Sequence, residues 1–356
     1  MTRNKSQLSL TLIATFPEFR VLTWHNNYLY AAKKYTLFRI KEKDLLEKKT
    51  NWEKVAFFRP GMLRKIASSM RLSQRLLRIG FHHLEVFPDK RMIAILDKAI
   101  AVLEVGEKEF KTTWRVKRGT RPMGMAITPD SKIYWGEYFN NKERSEVYVY
   151  GSEDGGYTWD VVYTFSKGSI RHIHNIIYDS FDDCFWILTG DEGKEPKILR
   201  ASRDWKALDI VLGGNQQARA ATIIVESDGI YYATDTPHEQ NYIYHIDRKT
   251  EKREEIAKIS GPSMYSCKVG GFMFFSTAAE PGRSYYPAAC LWRSKDGDSW
   301  HKLFEWPKDS WHPKYFQFGN IVLPRGETLN GLLAATGVAV KGMDGKLGLW
   351  VVSNNA

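Results

Sequence analysis

Apolar and polar positions alternate along most of this chain in short stretches, and the stretches come in pairs. A first apolar stretch is followed by a turn, then by a second stretch dense in aromatic residues that ends on a small or acidic residue. Period-two alternation marks β-strands, so each pair reads as an antiparallel hairpin. Hairpins begin at Phe19, Arg75, Arg121, His172, Arg219, Ser263 and Tyr315. Their spacing of roughly 40–50 residues is that of one four-stranded blade of a β-propeller. The predicted fold is all-β: a seven-bladed propeller filling residues 1–356 as a single domain, each blade packing only on its neighbours. Six blades is the alternative, if residues 59–76 form an irregular insertion and the second repeat is misread.

The two ends of the chain complement one another. The last repeat supplies strands near 316–323, 331–338 and 347–352 and stops one strand short, whereas 8–16 is a strand with no blade of its own. Pairing them is expected to close the ring through the N-terminal strand and remove an open sheet edge. The segment 59–76 carries Arg59, Arg64, Lys65, Arg71 and Arg75 and is the least regular part of the chain. As a helix it would present a cationic face; the simpler expectation is a solvated loop.

Composition narrows the function classes. The 12 Trp, 18 Tyr and 18 Phe suit packing between sheets. Cys184, Cys267 and Cys290 cannot all pair, so no disulfide framework is expected. With strand-like residues where a secretion signal would stand, a cytoplasmic location is expected. No run is long and apolar enough to predict a membrane span. A net charge of +11 favours an acidic partner, although much of it lies in solvated runs such as 41–49 and 248–253. Basic residues are not interleaved with aromatics and no nucleic-acid motif occurs, so nucleic acid is not an expected partner.

From Ser152 the chain reads S-E-D-G-G-Y-T-W, placing Ser152, Asp154, Gly156 and Trp159 in the pattern S-x-D-x-G-x-x-W. A copy one residue shorter contains Ser294, Asp296 and Trp300, and a worn one runs from Ser202 to Trp205. The pattern resembles the Asp-box (BNR) repeat of sialidases and other propellers. That resemblance implies a turn between third and fourth strands, away from the catalytic end, so Asp154 and Asp296 are expected to be structural. It also implies an acidic sugar as ligand, because sialidases hold the substrate carboxylate on an arginine cluster. The sialidase F/Y-R-I-P motif is not found before the first box.

In a propeller, residues just before first strands and just after second strands converge at one mouth of the axis. Arg20, Arg75, Arg121, Arg171 and Arg219 stand before successive first strands, and His312 stands on the approach to the last. Glu137 with Tyr138, Asp191, and Asp235 with His238 follow second strands. These arginines and histidines are the candidate anion-binding set; alternatively the arginines pair with Glu137, Asp191 and Asp235 and lock neighbouring blades together. His172 and His174 alternate on one strand and face the same way, as a general base with its orienting partner or as two metal ligands. His82 and His83 are expected on the opposite face.

Two reactions suit this set. The resemblance to sialidases implies hydrolysis of an acidic glycan with Tyr138 as nucleophile, Glu137 as its base and an acid at Asp191 or Asp235, although no arrangement here matches the sialidase set residue by residue. Elimination on a uronate would use His172 or His174 as base and Tyr138 or Tyr286 as proton donor. The expectation is a carbohydrate-active propeller binding, and cleaving, an acidic oligo- or polysaccharide; the alternative is a non-catalytic scaffold for glycan or protein. No cofactor is required, with a divalent metal on His172, His174 and His238 as a minor option.

Overall fold

The computed structural model describes residues 8–354 apart from 69, 78, 284, 314 and 329. Its strands follow one another in four-stranded antiparallel groups. One group is Ile173–Asp179, Cys184–Thr189, Lys197–Ser202 and Leu208–Gly213, hydrogen-bonded in that order. Two more, starting at Ala126 and Ala220, form separate sheets of the same kind. Residues 20–115 form an eight-stranded sheet whose halves meet only where Phe57 and Phe58 run parallel to Glu109 and Phe110. The group from Ser263 to Pro307 takes up a short extra strand, Glu327–Thr328.

Burial follows position within each group. Second strands such as Met92–Leu96, Cys184–Thr189, Gly229–Thr234 and Phe272–Thr277 are buried at every residue, because sheets pack on both their faces. Fourth strands such as Arg253–Ile259 are mostly exposed or half-buried. First strands of successive groups lie side by side and wall a central cavity of about 710 Å³. The first strand and the returning second strand together bring first-strand beginnings and second-strand ends to the same mouth.

First strands share a local irregularity. Register slips between Val21 and Thr23, Phe81 and His83, Ile173 and Asn175, and Ser263 and Tyr265. A bulge of this kind adds one unpaired residue and re-aims its side chain. His82 and His174 occupy such positions. Contrary to expectation, His82 and His83 lie at the beginning of the strand Phe81–Val86 and on the cavity wall, not on the opposite face.

The strand Leu8–Pro17 pairs antiparallel with Lys346–Asn354, which continues through Leu332–Val338 to Asn320–Val322. First and last parts of the chain thus share one sheet. The segment after the first group differs from its expectation as a loop. It contains two helices, α1 (Met62–Ala67) and α2 (Arg71–Leu77). Their arginines turn onto the sheets: Arg64 pairs with Asp97, Arg71 with Asp344 at 2.6 Å, and Arg75 with Asp309. The helices present Met62, Leu63, Ile66 and Leu76 to the outside alongside Lys65 and the partly exposed Arg64 and Arg71, a mixed rather than a purely cationic face.

The turns at 152–159 and 294–300 have the bonding expected of them. Asp154 accepts the amides of Tyr157 and Thr158, Ser152 Oγ accepts that of Gly156, and buried Trp159 donates to the Gly156 carbonyl at 3.2 Å. Ser294, Asp296 and Trp300 repeat these contacts. Both turns join third to fourth strands, which leaves their aspartates remote from the cavity mouth. The three cysteines are free and buried, and no helix among the described residues is long and apolar enough to cross a membrane.

Removal of residues 1–17 would expose the whole edge of Lys346–Asn354. The truncated chain is expected to melt at lower temperature and to aggregate on heating, as followed by calorimetry and light scattering. An unchanged melting temperature would show that the closing strand contributes nothing.

Candidate functional site

Buried second strands deliver carboxylates to the mouth. Asp97, Glu137, Asp191, Asp235 and Glu280 all stand within three residues of the end of such a strand. Asp191, Asp235 and Glu280 converge on Arg219, which directly precedes the first strand Ala220–Glu226. Arg219 Nη2 lies 3.1 Å from Asp191 Oδ1, and its Nε lies 3.6 Å from Asp235 Oδ2. One buried guanidinium thereby joins two neighbouring sheets. Of the two arginine roles anticipated, the locking one describes Arg219 and Arg171, whose Nη1 is 3.3 Å from Asp191 Oδ2.

The two histidines meet the same aspartate. His174 Nε2 is 3.0 Å from Asp191 Oδ1 and His172 Nε2 is 3.3 Å from Oδ2. Their outer nitrogens are held by the backbone: His172 Nδ1 by the Phe139 carbonyl at 3.0 Å and His174 Nδ1 by that of Ala220 at 2.9 Å. The Tyr138 ring lies 4.3 Å from that of His172, and Tyr138 and His174 both line the cavity. With both nitrogens of each imidazole engaged, neither ring presents a base to a ligand in the cavity.

The carboxylates differ in charge state. Burial pushes the Asp191 carboxyl up, but His172, His174 and the Arg219 charge outweigh it and hold the group well below the usual carboxylate range. Burial pushes the Asp235 carboxyl up to about 7, Glu280 adding to the rise against the pull of Arg219. Burial raises Glu280 in the same way. Asp235 Oδ1 is buried and accepts no hydrogen bond from protein, and the residue lines the cavity together with Glu280. Asp235 and Glu280 therefore keep a proton between them near neutrality.

Other expected residues fall elsewhere. Glu137 is buried and bound to Arg118, whose Nε donates at 2.8 Å, and it accepts the Tyr148 amide; this pairing withdraws it from the mouth. Arg75 lies in α2, ion-paired to Asp309 and stacked on Trp311 at 4.7 Å, because the chain before the second group is helical rather than extended. His238 is exposed on its loop, and exposed His312 lies beside Tyr315; neither joins the histidine pair. Arg20 and Arg121 do line the cavity, and Arg20 Nε is buried without a protein acceptor. Glu280 was missed, although it follows the sixth second strand just as Asp191 and Asp235 follow theirs. Gln216, which donates to the Asp191 carbonyl at 2.8 Å, lies in a short turn with no repeat signal.

No protein-family model and no curated protein sequence matches the chain. Solved structures do match in shape. The WD40 propeller domain of Doa1 superimposes with a TM-score of 0.59 at 10% identity, covering 97% of each chain. The GH74 xyloglucanase from Xanthomonas campestris matches with a TM-score of 0.59 at 14% identity, over 98% of this chain and 54% of that enzyme. The chain thus spans about half the length of that enzyme. A chain of a Nidogen/Laminin complex matches with a TM-score of 0.51 at 12% identity, over 82% and 95% of the two chains. The chain is a β-propeller. Identities this low show the fold alone, so the chemistry of the propeller mouth rests on its own residues.

Two stability measurements probe this arrangement. Arg219→Ala leaves two buried carboxylates without their shared counter-charge and is expected to cost about 3–5 kcal/mol in urea unfolding; a loss below ~1 kcal/mol would contradict the locking role. Folded Asp235 keeps its proton to about pH 7, whereas the ordinary value is 3.8. The folded state therefore binds more protons between these values, and stability falls as pH rises through that window. Asp235→Asn should flatten that part of the melting-temperature profile.

Proposed function

We propose that the axial cavity binds an acidic glycan and hydrolyses a glycosidic bond, with Asp235 as the proton donor. The observation that carries this reading is the Asp235 carboxyl itself. It is buried on the cavity wall, has an oxygen with no protein partner, and is raised to about 7 beside a second raised carboxyl, Glu280. Two carboxyls sharing one proton can supply an acid and an ionised base or nucleophile at the same time. Asp191, by contrast, stays ionised behind His174 and serves to hold Arg219 and the imidazoles.

Arg20 and Arg121 on the wall supply the positive charge for a ligand carboxylate. A volume of about 710 Å³ suits a short oligosaccharide unit rather than a folded partner. Elimination is the weaker reading, because His172 and His174 have both ring nitrogens occupied. In this reading the seven four-stranded groups form seven blades, the eight-stranded sheet being two of them.

Incubation with uronate- and sialate-containing oligosaccharides, assayed for new reducing ends and for absorbance near 235 nm, tests the proposal. Reducing ends without the unsaturated-uronate absorbance are expected. Asp235→Asn should lower kcat by about 10²-fold or more while retaining binding. The wild-type rate should fall as pH rises above about 7, because the donor must be protonated. No product from any acidic glycan, or full activity in Asp235→Asn, would refute hydrolysis at this site.

A further inference from the structure

His172, His174 and Asp191 present an unusual hydrogen-bond problem. A carbonyl oxygen can only accept, so the contacts of the two Nδ1 atoms with the Phe139 and Ala220 carbonyls place a proton on each Nδ1. Each Nε2 of a neutral ring is then a lone pair. Yet the two Nε2 atoms are 3.1 Å apart, and the Asp191 carboxylate oxygens lie 3.0 and 3.3 Å from them. Two nitrogen lone pairs and a carboxylate this close need positive charge among them, either as further protons on the rings or as a metal ion.

The distances favour the ion. Nitrogen and oxygen ligands bind a first-row divalent ion at about 2.0–2.2 Å. Ligand atoms so placed are separated by ~3.0 Å in octahedral and ~3.4 Å in tetrahedral geometry by simple trigonometry on those lengths. The two nitrogens are 3.1 Å apart, and each lies 3.0 or 3.3 Å from its own oxygen of the Asp191 carboxylate, all within that interval. Among the described residues this is the one group of three such side chains whose ligand atoms all lie within 4.8 Å of one another.

Three further features fit. An Nδ1 proton donated to a backbone carbonyl is the usual support that fixes the orientation of a metal-binding imidazole. The bulge at His174 breaks the simple pairing of its strand at the residue that must reach Asp191. The Asp191 carboxylate is likewise held from outside, by Arg171 Nη1 at 3.3 Å and Arg219 Nη2 at 3.1 Å. Two imidazoles and one carboxylate are a familiar donor set for divalent zinc, manganese or iron.

We infer that His172 Nε2, His174 Nε2 and the Asp191 carboxylate form a binding site for a divalent first-row transition-metal ion. The third ligand is Asp191, delivered by the neighbouring second strand, and not His238, which lies exposed on another loop. The site requires no glycan and stands whether or not the cavity is hydrolytic.

The test uses the full chain, stripped with a chelator and then titrated with Co²⁺ and with Zn²⁺. About one equivalent of Co²⁺ should bind and give visible d–d absorption, and Zn²⁺ should displace it and raise the melting temperature. His174→Gln and Asp191→Asn should each weaken Co²⁺ binding by more than the ~100-fold typical of changes in supporting residues. His238→Gln and His312→Gln should leave it unchanged. Should the first two variants fail to fold, the wild-type titration alone decides. Absence of both the Co²⁺ spectrum and the Zn²⁺-dependent melting shift would overturn the site, as would undiminished binding in folded His174→Gln.

Discussion

The mouth of the propeller is organised by one buried guanidinium. Arg219 sits between Asp191 of the preceding sheet and Asp235 of its own, and burial makes both attractions strong and the loss of either partner costly. Its position follows from sequence phase: it is the residue immediately before a first strand, and both carboxylates emerge just beyond second strands. Because those strands are covered on both faces, the carboxylates have little freedom to move away. Electrostatics and sheet packing therefore constrain the same few atoms.

From this constraint comes a division of labour among acids that look alike in sequence. Asp191, surrounded by two arginines and two imidazoles, is held ionised. Asp235, buried with a single arginine at 3.6 Å and Glu280 beside it, retains its proton to about pH 7. Glu137, bound by Arg118, serves only to fasten its loop. The same repeat position thus yields a charge holder, a proton carrier and a structural clamp, according to how many cations reach each.

Much of this was legible in sequence because β-strand periodicity is strict. The hairpin phase identified the first and second strands, and with them Arg219, Asp191, Asp235 and the histidine pair. Its failures have specific causes. The second hairpin, read as starting at Arg75, has its first strand at Phe81–Val86, so His82 and His83 open that strand instead of lying in its turn. Assuming equal connections placed Arg75 before a strand, whereas a helical connection carries it to Asp309. Glu280 follows its strand two residues later than Asp235 follows its own, and that offset concealed it. The partners Arg118 and Gln216 come from irregular turns, where no period exists to be read.

The pairing of Leu8–Pro17 with Lys346–Asn354 also bears on how the protein is made. During translation the first of these strands leaves the ribosome long before its partner exists. The intervening sheets can form in order, each on the one before, but the strand Leu8–Pro17 must wait unpaired until Lys346–Asn354 has emerged. Its unpaired edge stays open to pairing with other strands throughout that interval. Emergence of Lys346–Asn354 then draws residues more than three hundred positions apart into one sheet.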